Sequence, residues 1–330
     1  MEKKSIAVVT GANGFVGSHL VDLLVEKGYH VRCITRKSSD LRWLKDKPVE
    51  IVDCGLFNND GLEKAFDGAE YIYHVAGVVK SKEKEGYFKG NVETTRNVLN
   101  AALKNKQTIK KIVIVSSQTA CGPSPSEKPI DEKYECRPIT TYARSKFEEE
   151  KLAKSYMDRL PVTICRAPAV YGERDTEILI FFRTFSQGLM TTIGMKDKTL
   201  SLIHACDLVN GFYLAAVSDC SAGETYFISS EKVYTWTEIG NITSKVLNKK
   251  PLKVKVPHPI VYTIAAIAQV FASFSSKPAT LNLEKARDLV QQAWTCDTSK
   301  AMAQLGYRQQ ISAEEGIRRT CEWYKQMKWL

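Results

Sequence analysis

The chain has 330 residues, of which 44% are hydrophobic and 25% are charged, and its formal net charge at pH 7 is +10. This composition is that of an ordinary globular protein and excludes a disordered or low-complexity chain. The length predicts one large α/β domain with a smaller lobe attached. The positive charge favours acidic or phosphorylated partners, but no basic run is interleaved with aromatic residues, so no nucleic-acid partner is expected.

The start of the chain and its cysteines bear on location and on metal binding. Met1 is followed almost directly by a predicted strand, which leaves no room for a signal peptide, so a cytoplasmic protein is expected. The nine cysteines are scattered without a Cys-x-x-Cys or a Cys/His cluster. We expect buried thiols rather than disulfides or zinc ligands, and no metal site.

A glycine-rich turn near the N-terminus is the strongest local motif. The strand-like run 5–10 leads into Gly11, Gly14 and Gly17, and an apolar-periodic helix over 18–27 follows. Glycines at this spacing let the backbone turn sharply, approach a pyrophosphate and pack the helix on the sheet. The N–H groups at the helix start would hold the anion. A tight turn without a ligand is the structural alternative, which the elements that follow disfavour.

Strand and helix patterns alternate along the next segments, as in a parallel sheet. Strands are predicted at 30–35, 49–53, 71–75, 111–116 and 162–166, and helices at 91–104 and 141–157. The predicted fold class is α/β, a doubly wound parallel sheet of the Rossmann type with a smaller, mostly helical C-terminal substrate lobe.

The regular alternation weakens beyond Gly172, which sets the predicted domain boundary. Residues 1–172 are expected to form the dinucleotide-binding domain, and 204–232 are expected to return to its sheet. Residues 173–203 and 233–330 are expected to form the substrate domain.

A candidate acid/base pair follows the fifth predicted strand. Tyr142 and Lys146 are four residues apart in a predicted helix, which places a phenol and an ammonium on one face. The same spacing recurs at Tyr324 and Lys328, but in an amphipathic terminal helix far from the strand ends. A neighbouring ammonium is expected to lower the pKa of the phenol from about 10, which makes Tyr142 the candidate proton donor.

Several segments, taken together in chain order, resemble the extended short-chain dehydrogenase/reductase family. They are the runs at 10–17 (TGANGFVG), 73–77 (YHVAG), 91–97 (NVETTRN) and 166–172 (RAPAVYG), the pair Ser116-Ser117 followed by Gly122, and Tyr142 with Lys146. The chain is thus similar to the epimerase/dehydratase superfamily. The apolar runs 178–182 and 259–274 of its substrate half look more like the 3β-hydroxysteroid dehydrogenase and dihydroflavonol reductase branches of that superfamily.

This resemblance implies roles for individual residues. Tyr142 would be the catalytic acid/base, Lys146 would bond the nicotinamide ribose, and Ser117 would hydrogen-bond the reacting oxygen. The other cofactor contacts would come from the glycine-rich turn, the following strand ends and a proline beside the nicotinamide: Gly11, Asn13, Gly14, Phe15, Val16, Gly17, Arg36, Asp53, Cys54, Val75, Ala76, Gly77 and Pro168.

The end of the second predicted strand bears on the choice of cofactor. The segment 34–37 lacks the acid that would bond a ribose 2′-hydroxyl, and the guanidinium of Arg36 suits a 2′-phosphate. NADP(H) is therefore favoured, with NAD(H) and a plain surface arginine as the alternative. The resemblance leaves the adenine contact open, because Gly55 stands where an acid is common and Asp53 comes two residues earlier.

The substrate half favours a reductase over a nucleotide-sugar enzyme. By resemblance, sugar-nucleotide members clamp a diphosphate with an asparagine and an arginine, where this chain has Ala169 and Leu200. An uncharged site neutralises a diphosphate poorly. We expect hydride transfer between NADP(H) and a carbonyl or secondary alcohol of a fairly apolar small molecule. The alternatives are a nucleotide-sugar epimerase with the same catalytic residues and a nucleotide-sensing binding protein.

The apolar run 259–274 is shorter than the roughly 20 residues that span a bilayer, and polar residues interrupt it. It is expected to form a buried helix that covers the substrate pocket, with a peripheral membrane contact or a homodimer contact as alternatives. His74 and His204 are expected to be framework residues, since neither has a metal-type partner in the sequence.

Overall fold

The computed structural model describes residues 4–125, 128–274 and 281–330. The strands, in chain order, are β1 (Ile6–Thr10), β2 (His30–Ile34), β3 (Val49–Val52), β4 (Tyr71–His74), β5 (Lys111–Ser117), β6 (Val162–Ala167), β7 (Ala169–Tyr171), β8 (Leu189–Ile193), β9 (Thr199–His204), β10 (Thr225–Phe227), β11 (Val233–Thr235), β12 (Leu252–Val256) and β13 (Ala293–Trp294).

The α-helices lie between these strands and after them. They are α1 (Phe15–Glu26), α2 (Asn59–Ala65), α3 (Lys84–Phe88), α4 (Thr94–Lys104), α5 (Thr141–Lys154), α6 (Leu179–Ser186), α7 (Ala205–Val217), α8 (Trp236–Leu247), α9 (His258–Ser273), α10 (Leu283–Leu289), α11 (Ser299–Leu305) and α12 (Ala313–Gln326). One π-helical turn, Lys89–Glu93, precedes α4, where the sequence predicts regular helix.

Seven parallel strands form the central sheet in the spatial order β3-β2-β1-β4-β5-β6-β10. The direction of winding reverses between β1 and β4, because Thr10 at the end of β1 pairs with Ile34 on one side and with His74 on the other. A crevice for a ligand opens at such a reversal, at the carboxyl ends of the strands. The predicted doubly wound parallel sheet is thereby confirmed.

Alternate residues of the strands face two apolar layers, as the two-residue period of a strand dictates. In β1, Ala7 and Val9 pack in one layer with Leu20 of α1 and Phe212 of α7. Val8 packs in the other layer with residues of α2, α4 and α5. With helices on both faces the strands are buried on both sides, which explains their nearly continuous apolar sequence.

The remaining strands build a smaller lobe beside the carboxyl ends of the sheet. β11, β9 and β13 are neighbours, β7 pairs with β9, and β8 pairs with β12. Tyr171, Phe182, Leu200, Ile317 and Tyr324 meet in the apolar core of this lobe. β10 lies beside β6 at the edge of the central sheet, within the segment 204–232.

Helix α9 differs from the expected buried helix. Val261 and Ala265 are buried, but Ile264, Ile267 and Phe271 are 50%, 52% and 72% exposed. The expectation was wrong because the helix is apolar on most sides, and its sequence therefore does not show which side the protein covers. Across the three described ranges, none of the helices combines the length and apolarity that a bilayer crossing needs.

A buried ion pair joins α5 to the centre of the sheet. Arg166 of β6 donates to the carboxylate of Glu150 from Nε at 3.0 Å and from Nη2 at 2.7 Å. Ser116 of β5 donates to the same carboxylate at 2.6 Å. Both charged side chains are at most 2% exposed, so each charge is stabilised by the other rather than by water.

We predict that Glu150→Gln lowers the free energy of unfolding by about 3–5 kcal/mol, because it leaves the Arg166 guanidinium buried without its counter-charge. Urea denaturation at pH 7 measures this loss. Arg318→Ala is the matched control, since it removes only solvent-exposed pairs with Glu315 and Glu322, which contribute little to stability. Equal losses in the two variants would contradict the assignment of Glu150 to the structural core.

Candidate active site

The glycine-rich turn brings the ends of β1 and β4 into close contact. Gly11 has φ +67°, and a Cβ at this position would lie 2.8 Å from the backbone N and Cα of Ala76. A Cβ at Gly17 would lie 2.1 Å from the carbonyl oxygen of Gly11. Only glycine fits at either position, so the turn has the compact backbone that a phosphate cradle requires.

Helix α1 begins at the edge of this turn with Gly14 as its N-cap residue. No side chain among the described residues hydrogen-bonds to this cap, and the first turn contains no acidic residue. Phe15, Val16 and Gly17 therefore present their N–H groups at the positive end of the helix dipole. Such a helix start suits an anion, and a dinucleotide pyrophosphate fits the residues present.

The predicted adenosine contacts lie where β2 and β3 end. Arg36 is exposed and forms an isolated bridge with Cys54, so the loops after the two strands run side by side. Asp53 is exposed, and Asn13 donates to the carbonyl oxygen of Asp40 at 3.4 Å. Arg36 therefore lies at the carboxyl-terminal edge of the sheet, on the side of β1 opposite to β4, and its side chain is exposed there.

A chain of hydrogen bonds links the end of β4 to the cradle. His74 lies 2.8 Å from the hydroxyl of Thr10 through Nδ1 and 2.9 Å from the hydroxyl of Thr95 through Nε2. The backbone N–H of Ala76 donates to Thr10 at 3.2 Å. Burial, with a contribution from the charge of Lys146, lowers the pKa of His74 to about 3, so this imidazole is neutral and belongs to the framework.

The π-helical turn directs the side chain of Asn91 toward the segment that follows β4, which includes Gly77. Asn91 accepts a hydrogen bond from the backbone N–H of Val78 at 2.7 Å and donates to the hydroxyl of Ser145 at 2.8 Å. The backbone after β4, with Val75, Ala76 and Gly77, is thereby tied to α5. The π-turn was missed in the sequence because it needs one extra residue per turn and has no simple residue signature.

Tyr142 and Ser117 come together at the carboxyl end of β5. Tyr142 lies one turn from Lys146 in α5, and the side chain of Ser117 is near enough to its phenol to contribute to the pKa of Tyr142, which it lowers. Ser117 also accepts from the hydroxyl of Thr119 at 3.0 Å. The ring of Tyr87 lies 6.2 Å from the ring of Tyr142, centroid to centroid.

The pKa of Tyr142 is raised rather than lowered, which corrects the expectation from the sequence. Burial raises it, and the opposing effect of Lys146 is smaller. The sequence argument did not consider this burial, nor the carboxylate of Glu149, which forms an ion pair with Lys146 and raises the pKa of Tyr142 further. Part of the ammonium's charge is compensated before it can act on the phenol.

Lys146 is buried, and its ammonium is held by two acceptors. It donates to the carbonyl oxygen of Val115 at 2.9 Å and pairs with the carboxylate of Glu149, which in turn accepts from Thr95 at 3.0 Å. Burial alone would lower the pKa of Lys146, but Glu149 more than offsets this effect, and the net shift is upward. The ammonium therefore stays charged at neutral pH.

The sequence contains one signal that could have identified Glu149. Glu148, Glu149 and Glu150 follow Lys146 within the same helix. Because one side of this helix faces the sheet, at least one of three consecutive glutamates must be buried. A buried lysine and a buried glutamate three residues apart are natural partners.

Pro168 lies between the ends of β6 and β7 and is partly buried. Beyond α5, a cavity of about 390 Å³ is bordered by α3, α9 and α10. Its wall combines polar and charged residues, among them Lys84, Gln269 and Glu284, with Tyr87, Ala272 and Leu283. Glu284 accepts hydrogen bonds from the backbone and hydroxyl of Thr141, the residue before Tyr142. The cavity thus adjoins the candidate acid/base through Tyr87 and Thr141.

His204 lies in an ionic network rather than at the strand ends of the central sheet. Glu173 pairs with His204 at 3.2 Å and with Arg319 at 3.1 Å. His19, Glu173 and Cys206 bring three potential metal ligands within 4.8 Å of one another. Because the carboxylate of Glu173 already pairs with an imidazolium and a guanidinium, it has no uncompensated negative charge to offer, and the arrangement is poorly suited to a further cation.

A family model for the NAD dependent epimerase/dehydratase family matches residues 7–229. The chain belongs to this family. It is 28% identical to the ceramide reductase of Caulobacter vibrioides over 333 aligned residues, which cover 100% of this chain and 97% of that protein. The family and the named activities of its relatives make this protein an enzyme, and a binding protein without activity is set aside.

Solved structures share the whole fold. The crystal structure of gox2253 superposes with a TM-score of 0.83 at 25% identity and covers 99% of this chain and 100% of that one. The UDP-glucose 4-epimerase of Thermotoga maritima, solved with UDP-glucose, superposes with a TM-score of 0.80 at 22% identity, with 98% and 99% of the two chains covered. These matches show the extended short-chain dehydrogenase/reductase fold, and the description of the matching family is NAD dependent.

We predict that Gly11→Ala weakens dinucleotide binding by at least about tenfold, because the new Cβ would push the cradle away from Ala76. Gly28→Ala is the matched control: Gly28 also has positive φ, +84°, but has no atom within 4 Å of a Cβ. Both variants should lose about 1–2 kcal/mol of stability from the positive φ, and Gly11→Ala should lose more because its Cβ also meets the backbone of Ala76. Titration with the dinucleotide, monitored by protein fluorescence, measures the two affinities. Equal affinity of the two variants would contradict the assignment of the glycine-rich turn as the phosphate cradle.

Proposed function

We propose that this enzyme is an NADP(H)-dependent reductase that acts on the carbonyl group of an apolar small molecule. The observation that carries the proposal is the placement of Tyr142, Ser117 and the buried Lys146 together at the carboxyl end of β5, beside the reversal in sheet order. A phenol, a hydroxyl and a fixed ammonium are the groups that a carbonyl reduction needs from the protein.

Bound NADPH would supply the hydride. The glycine cradle and the start of α1 would hold its pyrophosphate, and Lys146 would contact the nicotinamide ribose. Pro168, between β6 and β7, would border the nicotinamide. Arg36, exposed at the end of β2, would pair with a 2′-phosphate.

The protein's own groups would handle the developing negative charge on the substrate oxygen. Ser117 would donate a hydrogen bond to this oxygen, and Tyr142 would transfer its phenolic proton to it. Because the pKa of Tyr142 lies above its usual value, the phenol is protonated at neutral pH and is ready to act as the acid. This protonation state supports reduction as the favoured direction near pH 7.

The substrate lobe supports an apolar ligand over a sugar nucleotide. Leu200, at the position where a diphosphate-binding arginine would be expected, packs in an apolar core with Phe182 and Tyr234. Ala169, at the position of the expected asparagine, pairs with Leu202 in β9. Neither position offers a charge or an amide to a diphosphate, which supports the reductase over the epimerase as the proposed activity.

We predict that Tyr142→Phe lowers turnover of apolar ketones with NADPH by about 10²–10⁴-fold and leaves cofactor affinity nearly unchanged, since only the proton donor is lost. In the unchanged enzyme, kcat/KM for reduction should stay flat from about pH 7 to 9 and fall above about pH 10, as the phenol ionises. The matched control is Tyr324→Phe, because it removes a buried phenol elsewhere in the protein. Phe182→Tyr, inside the core of the smaller lobe, does not serve as a control. A loss of less than tenfold in Tyr142→Phe would remove this residue from the mechanism.

We predict that Arg36→Ala weakens NADPH by about 10–100-fold and changes NADH affinity little, because a charge-assisted hydrogen bond to the 2′-phosphate is lost. Isothermal titration with each cofactor measures the two affinities. Lys37→Ala, which removes the exposed cation next in the chain, is the matched control. Equal affinity of the unchanged enzyme for NADPH and NADH would contradict the preference.

A further inference from the structure

Helix α9 carries a stripe of large apolar side chains along one side. Ile260, Ile264, Ile267, Phe271 and Phe274 follow one another at spacings of four and three residues, and their exposure ranges from 49% to 88%. This spacing aligns them on one side of the helix. We call these five residues the apolar stripe.

The protein holds α9 by another side. Val261 and Ala265 are buried and pack with Ala286 of α10 in a small apolar cluster. Gln269 and Ala272, near this packed side, line the cavity that adjoins Tyr87. The helix therefore lies between this cavity and the apolar stripe.

The charges around the helix indicate what covers the stripe. The segment 256–274 contains no Asp, Glu, Lys or Arg. The residues that lead into it are basic: Lys253 and Lys255 are exposed on β12, and Lys255 donates to the carbonyl oxygen of Met195, which is 66% exposed. An apolar stripe beside exposed lysines complements the acyl chains and headgroups of an anionic bilayer.

We propose that α9 lies in the interface of an anionic membrane and that the carbonyl substrate is a lipid that reaches the cavity from the bilayer. The membrane contact stands on the surface of α9 itself. The choice of a lipid as substrate rests on the proposed reductase function.

The test is binding of the full chain to sedimenting vesicles of phosphatidylcholine, with and without phosphatidylglycerol. We expect binding to the anionic vesicles that weakens with salt, and a loss of about tenfold or more in Ile267→Gln/Phe271→Gln. The control is Val217→Gln, which changes an exposed apolar residue at the end of α7 and should bind like the unchanged protein.

Two results would overturn the membrane contact. One is no binding to either vesicle; the other is a dimer in sedimentation experiments that the double variant converts to monomer, which would assign the apolar stripe to a second copy. The proposed function is tested separately, with a water-soluble ketone and NADPH, whose turnover the double variant should retain. Vesicle binding without any ketone turnover would refute the reductase and leave the membrane contact standing.

A second feature is independent of the substrate: two thiols face each other in the loop between β5 and α5. The Sγ atoms of Cys121 and Cys136 lie 3.1 Å apart. Cys121 is buried, Cys136 is partly exposed, and both are free thiols. Cys136 is thus the more accessible residue of the pair.

The backbone holds the two thiols in register. Arg137 donates its backbone N–H to the carbonyl oxygen of Cys121 at 2.8 Å. Gly122 has φ +87°, and a Cβ there would lie 2.2 Å from the carbonyl oxygen of Arg137. Two segments this close allow a bond between the sulfurs with little backbone movement.

The electrostatics favour reaction at Cys136. A hydrogen bond from Cys121 lowers the pKa of Cys136 to about 7, against the effect of burial, and the guanidinium of Arg166 lies 3.5 Å from its sulfur. The carboxylate of Glu150 opposes this shift. Cys136 is therefore the more readily deprotonated, and hence the more nucleophilic, of the two thiols.

We infer that Cys136 and Cys121 form a reversible disulfide when a hydroperoxide oxidises the protein. The Cys136 thiolate attacks the O–O bond, so an S–O bond forms, and the departing oxygen takes a proton to become water or an alcohol. The Cys121 thiol then attacks the sulfenic sulfur; the S–S bond forms, the S–O bond breaks and water leaves. Two electrons pass from the sulfurs to the peroxide.

The test is treatment of the full chain with one equivalent of hydrogen peroxide, followed by alkylation and mass spectrometry. Nine alkylated thiols in the reduced protein should become seven, with Cys121 and Cys136 in one linked peptide, and dithiothreitol should restore nine. Cys220→Ser, at an exposed thiol, should still form the bond, whereas Cys136→Ser should not. Retention of nine alkylatable thiols, or linkage through other cysteines, would overturn the inference.

Discussion

The buried ammonium of Lys146 is the constraint on which the candidate site depends. A charge removed from water must be matched, and here Glu149 and the carbonyl oxygen of Val115 match it. Meeting both acceptors presses α5 against the end of β5, which sets Tyr142 beside Ser117. Glu149 also accepts from Thr95, whose hydroxyl contacts His74, so the same pairing extends toward the glycine cradle. The acid/base site and the cradle thus share one buried polar network.

The ion pair also changes how the phenol behaves. A free ammonium beside Tyr142 would favour the phenolate, but an ammonium already paired with a carboxylate does so less, and burial then dominates. A protonated phenol is an acid, and carbonyl reduction consumes a proton. The apolar surroundings of Leu200 agree with a reductase rather than a sugar-nucleotide enzyme. The exposed Arg36 agrees with a cofactor that carries a 2′-phosphate.

The sequence predicted the central sheet well because parallel strands covered on both faces are continuous apolar runs, and because Gly11 and Gly17 mark a turn that only glycine can make. The run of glutamates at 148–150 indicates that α5 buries a carboxylate, but which of them pairs with Lys146 depends on the rotation of α5 against the sheet and on Thr95 from another helix. The sequence also could not predict which side of α9 is exposed, because an apolar pattern on most sides of a helix fits several orientations. Roles of side chains that meet through the fold are harder to predict than the elements that carry them.

The central claim is that this site carries out a net reduction and exchanges its cofactor in every cycle. The most direct measurement is the stoichiometry of NADPH oxidised to alcohol formed, with purified enzyme, a long-chain ketone and cofactor in large excess over the enzyme. The account predicts one NADPH consumed per alcohol over many turnovers, and purified protein that retains little nucleotide after gel filtration. Tightly retained nucleotide, no net oxidation of NADPH and interconversion of UDP-sugars would contradict it and would assign the site to an epimerase.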